Sequence, residues 1–267
     1  MNRGGGWDKH VKLRAKQSAI LYDDASLIAL DKPAGLLAVP DRWDKGADNL
    51  IRMVHERISP HIYNVHRLDR ETSGILLCTK TRPALRQLVR DFAERRVAKR
   101  YVALVNGIPP WGETTVKLPL GPDPAHPGRV VVRTHGGKPA ETRLRVVERW
   151  RSYALVEAFP QTGRTHQIRV HLASTGHPIV GDTLYGDGRG IYLSHLKRGY
   201  KHKNLPERPL IGRLALHAEA LTFTHPDTSA ETTLRAPCPR DFTVAMKYLT
   251  RFDGGPSSAR EQGQPEV

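Results

Sequence analysis

The sequence predicts an α+β domain: a mixed, largely antiparallel central β-sheet flanked by helices. Three observations lead there. Strand-like runs dominate and helical periodicity recurs among them, yet the two neither alternate strictly nor separate into blocks. Two pairs of strand-like runs are joined by tight polar turns, as antiparallel hairpins are. The 267 residues can bury one sizeable core, and nothing between 18 and 252 marks a boundary between two.

In chain order, SAILYDD (18–24) and SLIALDK (26–32) read as a hairpin turning near Asp24 and Ala25. DNLIRMVHERI (48–58) has a helical period. GILLCTK (74–80) is a short apolar run of the kind that makes a buried strand, and PALRQLVRDFAERR (83–96) is helical again. KRYVALVNG (99–107) alternates like a half-buried strand. TRLRVVERW (142–150) and YALVEAFP (153–160), separated by Arg151 and Ser152, form a second hairpin. TGRT then turns into a helix over THQIRVHLAST (165–175), with Thr162 or Thr165 as candidate N-cap and Ile168 and Leu172 facing the core. LHAEALTFTHP (216–226) sets Leu216, Ala218 and Ala220 against His217 and Glu219, a further strand. RDFTVAMKYLTRF (240–252) is the closing helix.

Charge narrows the function. Lys and Arg number 42 against 27 Asp and Glu, a formal net charge of +15, which calls for a polyanionic partner. No apolar run is long enough to span a membrane, and residues 1–17 lack the apolar stretch of a secretory signal. Two cysteines support neither a disulfide framework nor a four-cysteine zinc site, so the expected compartment is the cytoplasm. Residues 1–17 read as a basic flexible arm and 253–267 as a disordered tail. An insertion at 187–213 concentrates Arg189, Lys197, Arg198, Lys201, Lys203, Arg208 and Arg213, with Tyr192 and Tyr200 interleaved. That composition suits phosphate contact and base stacking, and it also fits a solvated surface loop. A monomer is expected, since no apolar heptad or interface strip appears.

Neither a P-loop, a dinucleotide fingerprint, GxSxG nor HExxH is present. His166 and His171 lie five apart, a poor helical spacing for one metal, and no metal or cofactor is expected. Three segments stand out instead. In HRLDRETSGILL (66–77), Asp69 lies between Arg67 and Arg70, with Glu71 next. Such a turn can be a salt-bridged surface loop. It can also supply a nucleophile held ionised by a guanidinium, or a glycosidase-like pair of Asp69 and Glu71 sharing one face of an extended chain. In QTGRTHQIRVHLASTGHPIVGDTLYG (161–186), Arg164, His166, Gln167, Arg169 and His171 supply more polar groups than a bland helix needs, though an amphipathic basic helix on the surface would look similar. In AKRYVALVNG (98–107), Tyr101 beside Lys99 and Arg100 is either a core tyrosine or a stacking platform flanked by phosphate-holding cations.

Together, in this order, HRLDRETSG, KRYVALV and TGRTHQIRVHLASTGHPIVGDTLYG resemble the RluA-type RNA pseudouridine synthases. DKPAGLLAVP (31–40) and LHAEALTFTHP match as well, so the resemblance covers roughly residues 18–237. It implies the pseudouridine synthase catalytic fold over 18–252 and a cofactor-free isomerisation of specific uridines in ribosomal or transfer RNA. The N1–C1′ bond breaks, the uracil turns, and C5 joins C1′ after the base has been flipped from its stack. The family's catalytic carboxylate falls on Asp69, attacking the sugar or acting by a glycal-like route. Its basic partner falls on Arg169, expected to pair with Asp69, and its aromatic on Tyr101, stacked on the uracil. Ile168 matches the apolar residue beside the base, and Arg67 an arginine that fills the vacated stack. Glu71 is left a surface or structural role. Arg164, His166, Lys99 and Arg100 remain candidates for RNA contact, and His171 for contact or loop support. Many relatives carry an N-terminal S4 domain, which is expected to be absent here. Two other readings compete: an RNA-binding or remodelling protein with secondary or lost catalysis, and a two-carboxylate hydrolase requiring Glu71.

Overall fold

A computed structural model of the chain describes residues 19–40, 46–200 and 206–254. The basic arm, most of the C-terminal tail, and Lys201 and Lys203 of the insertion lie outside the described residues.

Asp24 turns the first hairpin. Its Oδ1 accepts from the Ser26 and Leu27 N–H groups at 2.8 and 2.7 Å, an Asx turn joining β1 (Ile20–Asp23) to β2 (Leu27–Lys32). β2 pairs antiparallel with β4 (Ser73–Thr79), whose seven residues are all buried, so this part of the sheet is covered on both faces. The two-residue period sorts the layers. Ile28, Leu30, Leu76 and Cys78 pack with Leu50, Ile51 and Val54 of α1 (Leu50–Arg57). Leu27, Ala29, Ile75 and Leu77 pack with Ala84 and Leu88 of α2 (Arg82–Ala93) on the other face. Each such leucine contributes about 1.5–3 kcal/mol of burial. Asn49 caps α1 by accepting from Arg52 N–H at 2.9 Å, and Thr81 caps α2 with Pro83 in its first turn. The helix expected over 83–96 stops at Ala93 because Arg95 takes a left-handed φ of 61°.

The remaining strands are β3 (Tyr63–Asn64), β5 (Ala98–Asn106), β6 (Glu113–Val116), β7 (Leu120–Pro122), β8 (Val130–Val132), β9 (Thr142–Arg149), β10 (Tyr153–Pro160), β11 (Leu216–Thr224) and β12 (Glu231–Arg235). The large sheet runs β1-β2-β4-β11-β5-β10-β9-β6, with β3 on β4 and β12 on β11, while β7 and β8 form a separate hairpin. β4 and β11 are parallel and the other pairs antiparallel, so the sheet is mixed and largely antiparallel, as expected. Gly74 makes the parallel junction possible. Its φ is +113°, and a Cβ there would lie 2.1 Å from the Ala218 carbonyl oxygen. Beyond it, β5, β10 and β11 form the central core with α3 (Gln167–Ser174) and α5 (Arg240–Phe252), through Ile168, Leu172, Phe242, Ala245 and Leu249.

Several expectations are corrected here. β5 is not half-buried: Val102 to Val105 are all buried, because β10 and β11 flank the strand. On β11, His217 is fully buried too, with Nδ1 3.0 Å from Ser73 Oγ. α3 is no amphipathic surface helix, since every residue from Gln167 to Leu172 is buried. The 187–213 segment is not wholly a surface loop: Ile191 and Ile211 pair across it inside the core, around the short α4 (Leu193–Leu196). The folded unit also reaches Asp253, whose carboxylate accepts from Ser152 N–H at 2.8 Å, so that residue is not tail. β3, β6, β7, β8 and β12 were not anticipated.

Candidate active site

Three strand-to-loop junctions converge on one cleft of about 460 Å³. The loop between β3 and β4 brings Arg67 and Asp69, the start of β5 brings Lys99 and Tyr101, and the turn from β10 into α3 brings Arg164, His166, Ile168 and Arg169. Pairing aligns them: Tyr101 lies opposite Ala158 of β10 and Ala218 of β11. Arg100 is the exception and does not reach the cleft. The pleat turns it to the opposite face, where its guanidinium pairs with Glu157 at 3.2 Å and with Glu219. Glu71 is exposed and absent from the cleft, so the two-carboxylate site does not assemble.

The Asp69 loop is braced from behind. Thr72 N–H donates to the Asp69 carbonyl at 3.1 Å. The fully buried Lys32 ammonium donates to the carbonyls of Pro33, Leu36 and Arg70 at 3.0, 2.7 and 3.0 Å, fastening the 33–36 turn to the loop. Burial pushes this amine down to about 7, and the charges of Glu71 and Asp69 oppose the fall. His66 stacks on Phe92 with ring centroids 4.9 Å apart, and its Nε2 accepts from Leu77 N–H at 3.0 Å. Burial, with Lys99 nearby, holds this imidazole at about 3, hence neutral.

The expected ion pair between Arg169 and Asp69 is replaced by another. Arg169 donates through Nε and Nη2 to Asp182 at 2.8 and 2.7 Å, a bidentate pair with both side chains buried. Asp182 is itself set by an Asx turn, its Oδ1 accepting from Leu184 and Tyr185 N–H at 2.9 and 3.1 Å. That fixed carboxylate captures the guanidinium, and Asp69 reaches Arg169 only as a nearby charge. Among the described residues the Asp69 carboxylate has no hydrogen bond or ion pair, which leaves it open to the cleft. Burial raises the Asp182 carboxyl, but the Arg169 hydrogen bond and charge outweigh it and hold the carboxyl below its usual range. Burial and the Asp69 charge push the Tyr101 phenol well up, so it stays protonated. Burial, with Arg95 adding to it, lowers Lys99 to about 8.

Two polar residues of α3 serve the scaffold. Gln167 Oε1 accepts from Thr162 Oγ1 and Arg164 N–H at 2.6 and 3.0 Å, and its amide nitrogen donates to Glu141 O and Thr142 Oγ1, each at 2.9 Å. Thr162 therefore works as a clasp between turn and helix, and neither it nor Thr165 is the N-cap; that position is His166, in a left-handed conformation. His171 bonds Thr142 Oγ1 at 2.8 Å and Leu118 O at 3.1 Å, which is loop support. Arg164 Nε donates to Pro139 O at 3.1 Å. His166 Nδ1 lies 2.8 Å from the Tyr185 hydroxyl, and the same ring of Tyr185 lies 5.1 Å from the Arg169 guanidinium carbon. Asp182 and Tyr185, both in GDTLYG, were not expected as site residues; they act through Arg169 and His166 and do not line the cleft themselves. Among the described residues no group of three or more His, Cys, Asp or Glu could hold a metal ion, and no helix is long and apolar enough to cross a membrane.

Residues 26–174 match the model of a family described as RNA pseudouridylate synthase. The chain is 37% identical over 244 residues to the ribosomal large subunit pseudouridine synthase D of Neisseria meningitidis serogroup B, an alignment covering 90% of this chain and 63% of that protein. It is 40% identical over 220 residues to the dual-specificity RNA pseudouridine synthase RluA of Escherichia coli, covering 82% of this chain and 92% of that one. Among solved structures, human RNA pseudouridylate synthase domain containing 4 superposes with a TM-score of 0.66 at 26% identity, over 93% of this chain and 99% of that one. Human RNA pseudouridylate synthase domain containing 1 gives 0.63 at 27%, over 84% and 85%.

Proposed function

The chain belongs to the RNA pseudouridylate synthase family, and from that premise we propose that it isomerises specific uridines of structured RNA to pseudouridine, with Asp69 as catalytic carboxylate. The observation that carries the reading is the cleft itself: it gathers Asp69, Tyr101 and Arg169 from three separate junctions and leaves the Asp69 carboxylate without a protein partner among the described residues. Ribosomal or transfer RNA is the proposed substrate. The cytoplasm, a monomeric state and the lack of a cofactor belong to the same reading. The net charge of +15 supports the polyanion.

A uridine enters only after leaving its stack, since C1′ chemistry and uracil rotation need a separate chamber. Arg67, exposed at the cleft mouth, takes the place of the departed base. The neutral Tyr101 ring and Ile168 sandwich the uracil. Asp69 then acts on the sugar, by attack at C1′ or through a glycal-like route, while the nearby Arg169 charge offsets the negative charge handled at the centre. Lys99 and Arg164 hold the flanking phosphates.

Bulk ribosomal and transfer RNA prepared without pseudouridine provides the test. Wild-type protein and Asp69→Ala are incubated with it, and pseudouridine is mapped by carbodiimide adduct and reverse transcription. A site made by the wild type and not by the variant supports the reaction and the carboxylate together. Equal yields from both would refute the role of Asp69.

A further inference from the structure

His166 lines the cleft from an unusual backbone position, the left-handed N-cap of α3, with φ at 55°. Its side chain does not cap the helix. Instead Nδ1 meets the Tyr185 hydroxyl at 2.8 Å. The Tyr185 oxygen also accepts from the Val130 N–H of β8, at 3.0 Å. A phenol has one proton, and the amide can only donate to it. The Tyr185 proton is therefore free to go to His166 Nδ1, and this direction uses that proton while Nδ1 supplies the lone pair. The ring proton of a neutral His166 sits on Nε2. Among the described residues Nε2 has no partner, and it is accessible on a side chain that lines the cleft.

We infer that Tyr185 holds His166 as an Nε2–H donor facing the cleft, where it grips an acceptor oxygen of the bound nucleotide, a phosphate oxygen or a uracil carbonyl. The inference deepens the proposed uridine site and rests on that reading. Tyr185 is the positioning residue, and His166 the one that touches substrate. Neutrality fits the role. Burial and the charges of Arg169 and Arg67 lower the imidazole, outweighing Asp69 and Asp182, which raise it. The relay also ties the cleft to the β7–β8 hairpin through Val130, so a single hydroxyl joins two parts of the chain 55 residues apart.

The test begins on the free protein. A ¹⁵N correlation spectrum of the imidazole nitrogens at neutral pH should show His166 as the Nε2–H tautomer, and Tyr185→Phe should convert it to a mixture. The Nε2–H signal should move on titration with uridine if a carbonyl accepts, or with inorganic phosphate if a phosphate oxygen does. An Nδ1–H tautomer in the wild type overturns the inference, as does a signal that neither probe moves. On unmodified ribosomal and transfer RNA transcripts, loss of one hydrogen bond predicts a rise in KM of roughly 2- to 12-fold for His166→Ala, with kcat little changed. His166→Gln, whose amide nitrogen lies near the Nε2 position, should restore KM, and His166→Asn should not. Equal losses for Gln and Asn would overturn the donor assignment. The tautomer and the titrations need no turnover. Wild-type protein that modifies no RNA would therefore defeat the functional reading while leaving these measurements to decide this one.

Discussion

Replacing Asp182 by Asn keeps the shape of the side chain and removes its charge. Arg169 and Asp182 are 5% and 0% exposed at their side chains, so solvent cannot replace the lost partner. Asp182 accepts four hydrogen bonds, two from the guanidinium and two from backbone N–H groups. An asparagine oxygen satisfies at most part of that set, and its amide hydrogens face other donors. Leaving a buried guanidinium uncompensated costs about 3–5 kcal/mol. That is a large share of the roughly 5–15 kcal/mol that holds a domain together, yet short of certain unfolding. Urea denaturation of the wild type, Asp182→Asn, Arg169→Met and the double variant forms a thermodynamic cycle. Each single variant should lose about 3–5 kcal/mol, and the double variant little more than either, a coupling of about 3 kcal/mol. Strictly additive losses, or a loss under about 1 kcal/mol for Asp182→Asn, would refute the claim that the pair holds Arg169 in place.

The same structure makes three further predictions. Gly74→Ala should cost about 2–4 kcal/mol, from its left-handed φ and the collision with the Ala218 carbonyl, and thermal melting should show it. Lys99, held at about 8, is charged below that pH and neutral above it, so RNA affinity should fall as pH rises from 7 to 9. Lys99→Arg keeps its charge and should flatten that fall in filter-binding assays. Burial raises the Asp24 carboxyl, but hydrogen bonds from Tyr22, the Leu27 and Ser26 N–H groups and His225 win and bring it down to about 2. Its contribution to stability is thus complete above about pH 4 and lost as pH falls toward 2. Acid unfolding of Asp24→Asn should lose that part of the pH dependence.

The elements readable from sequence are those with enough residues to show a period. The 153–160 strand and the 240–252 helix match residue for residue, because each carries its apolar pattern within itself. β6, β7, β8 and β12 are only three to five residues long and owe their existence to the strands they pair with, so no local pattern announces them.

The cleft divides the same way. Asp69, Tyr101 and Arg169 stand out because each lies in a contiguous motif that resembles one family, and all three line the cleft. Which of them touch was decided in three dimensions. Lys99 and Arg100 are neighbours of equal charge, and the strand pleat sends one to the cleft and the other to Glu157 and Glu219. Arg169 is expected beside Asp69 and is held by Asp182, 13 residues along the chain, because an Asx turn fixes that carboxylate against it. The residue types follow from the motifs; their pairing follows from the turns and the sheet that aim them, and a contact set by orientation leaves no mark in the order of the residues.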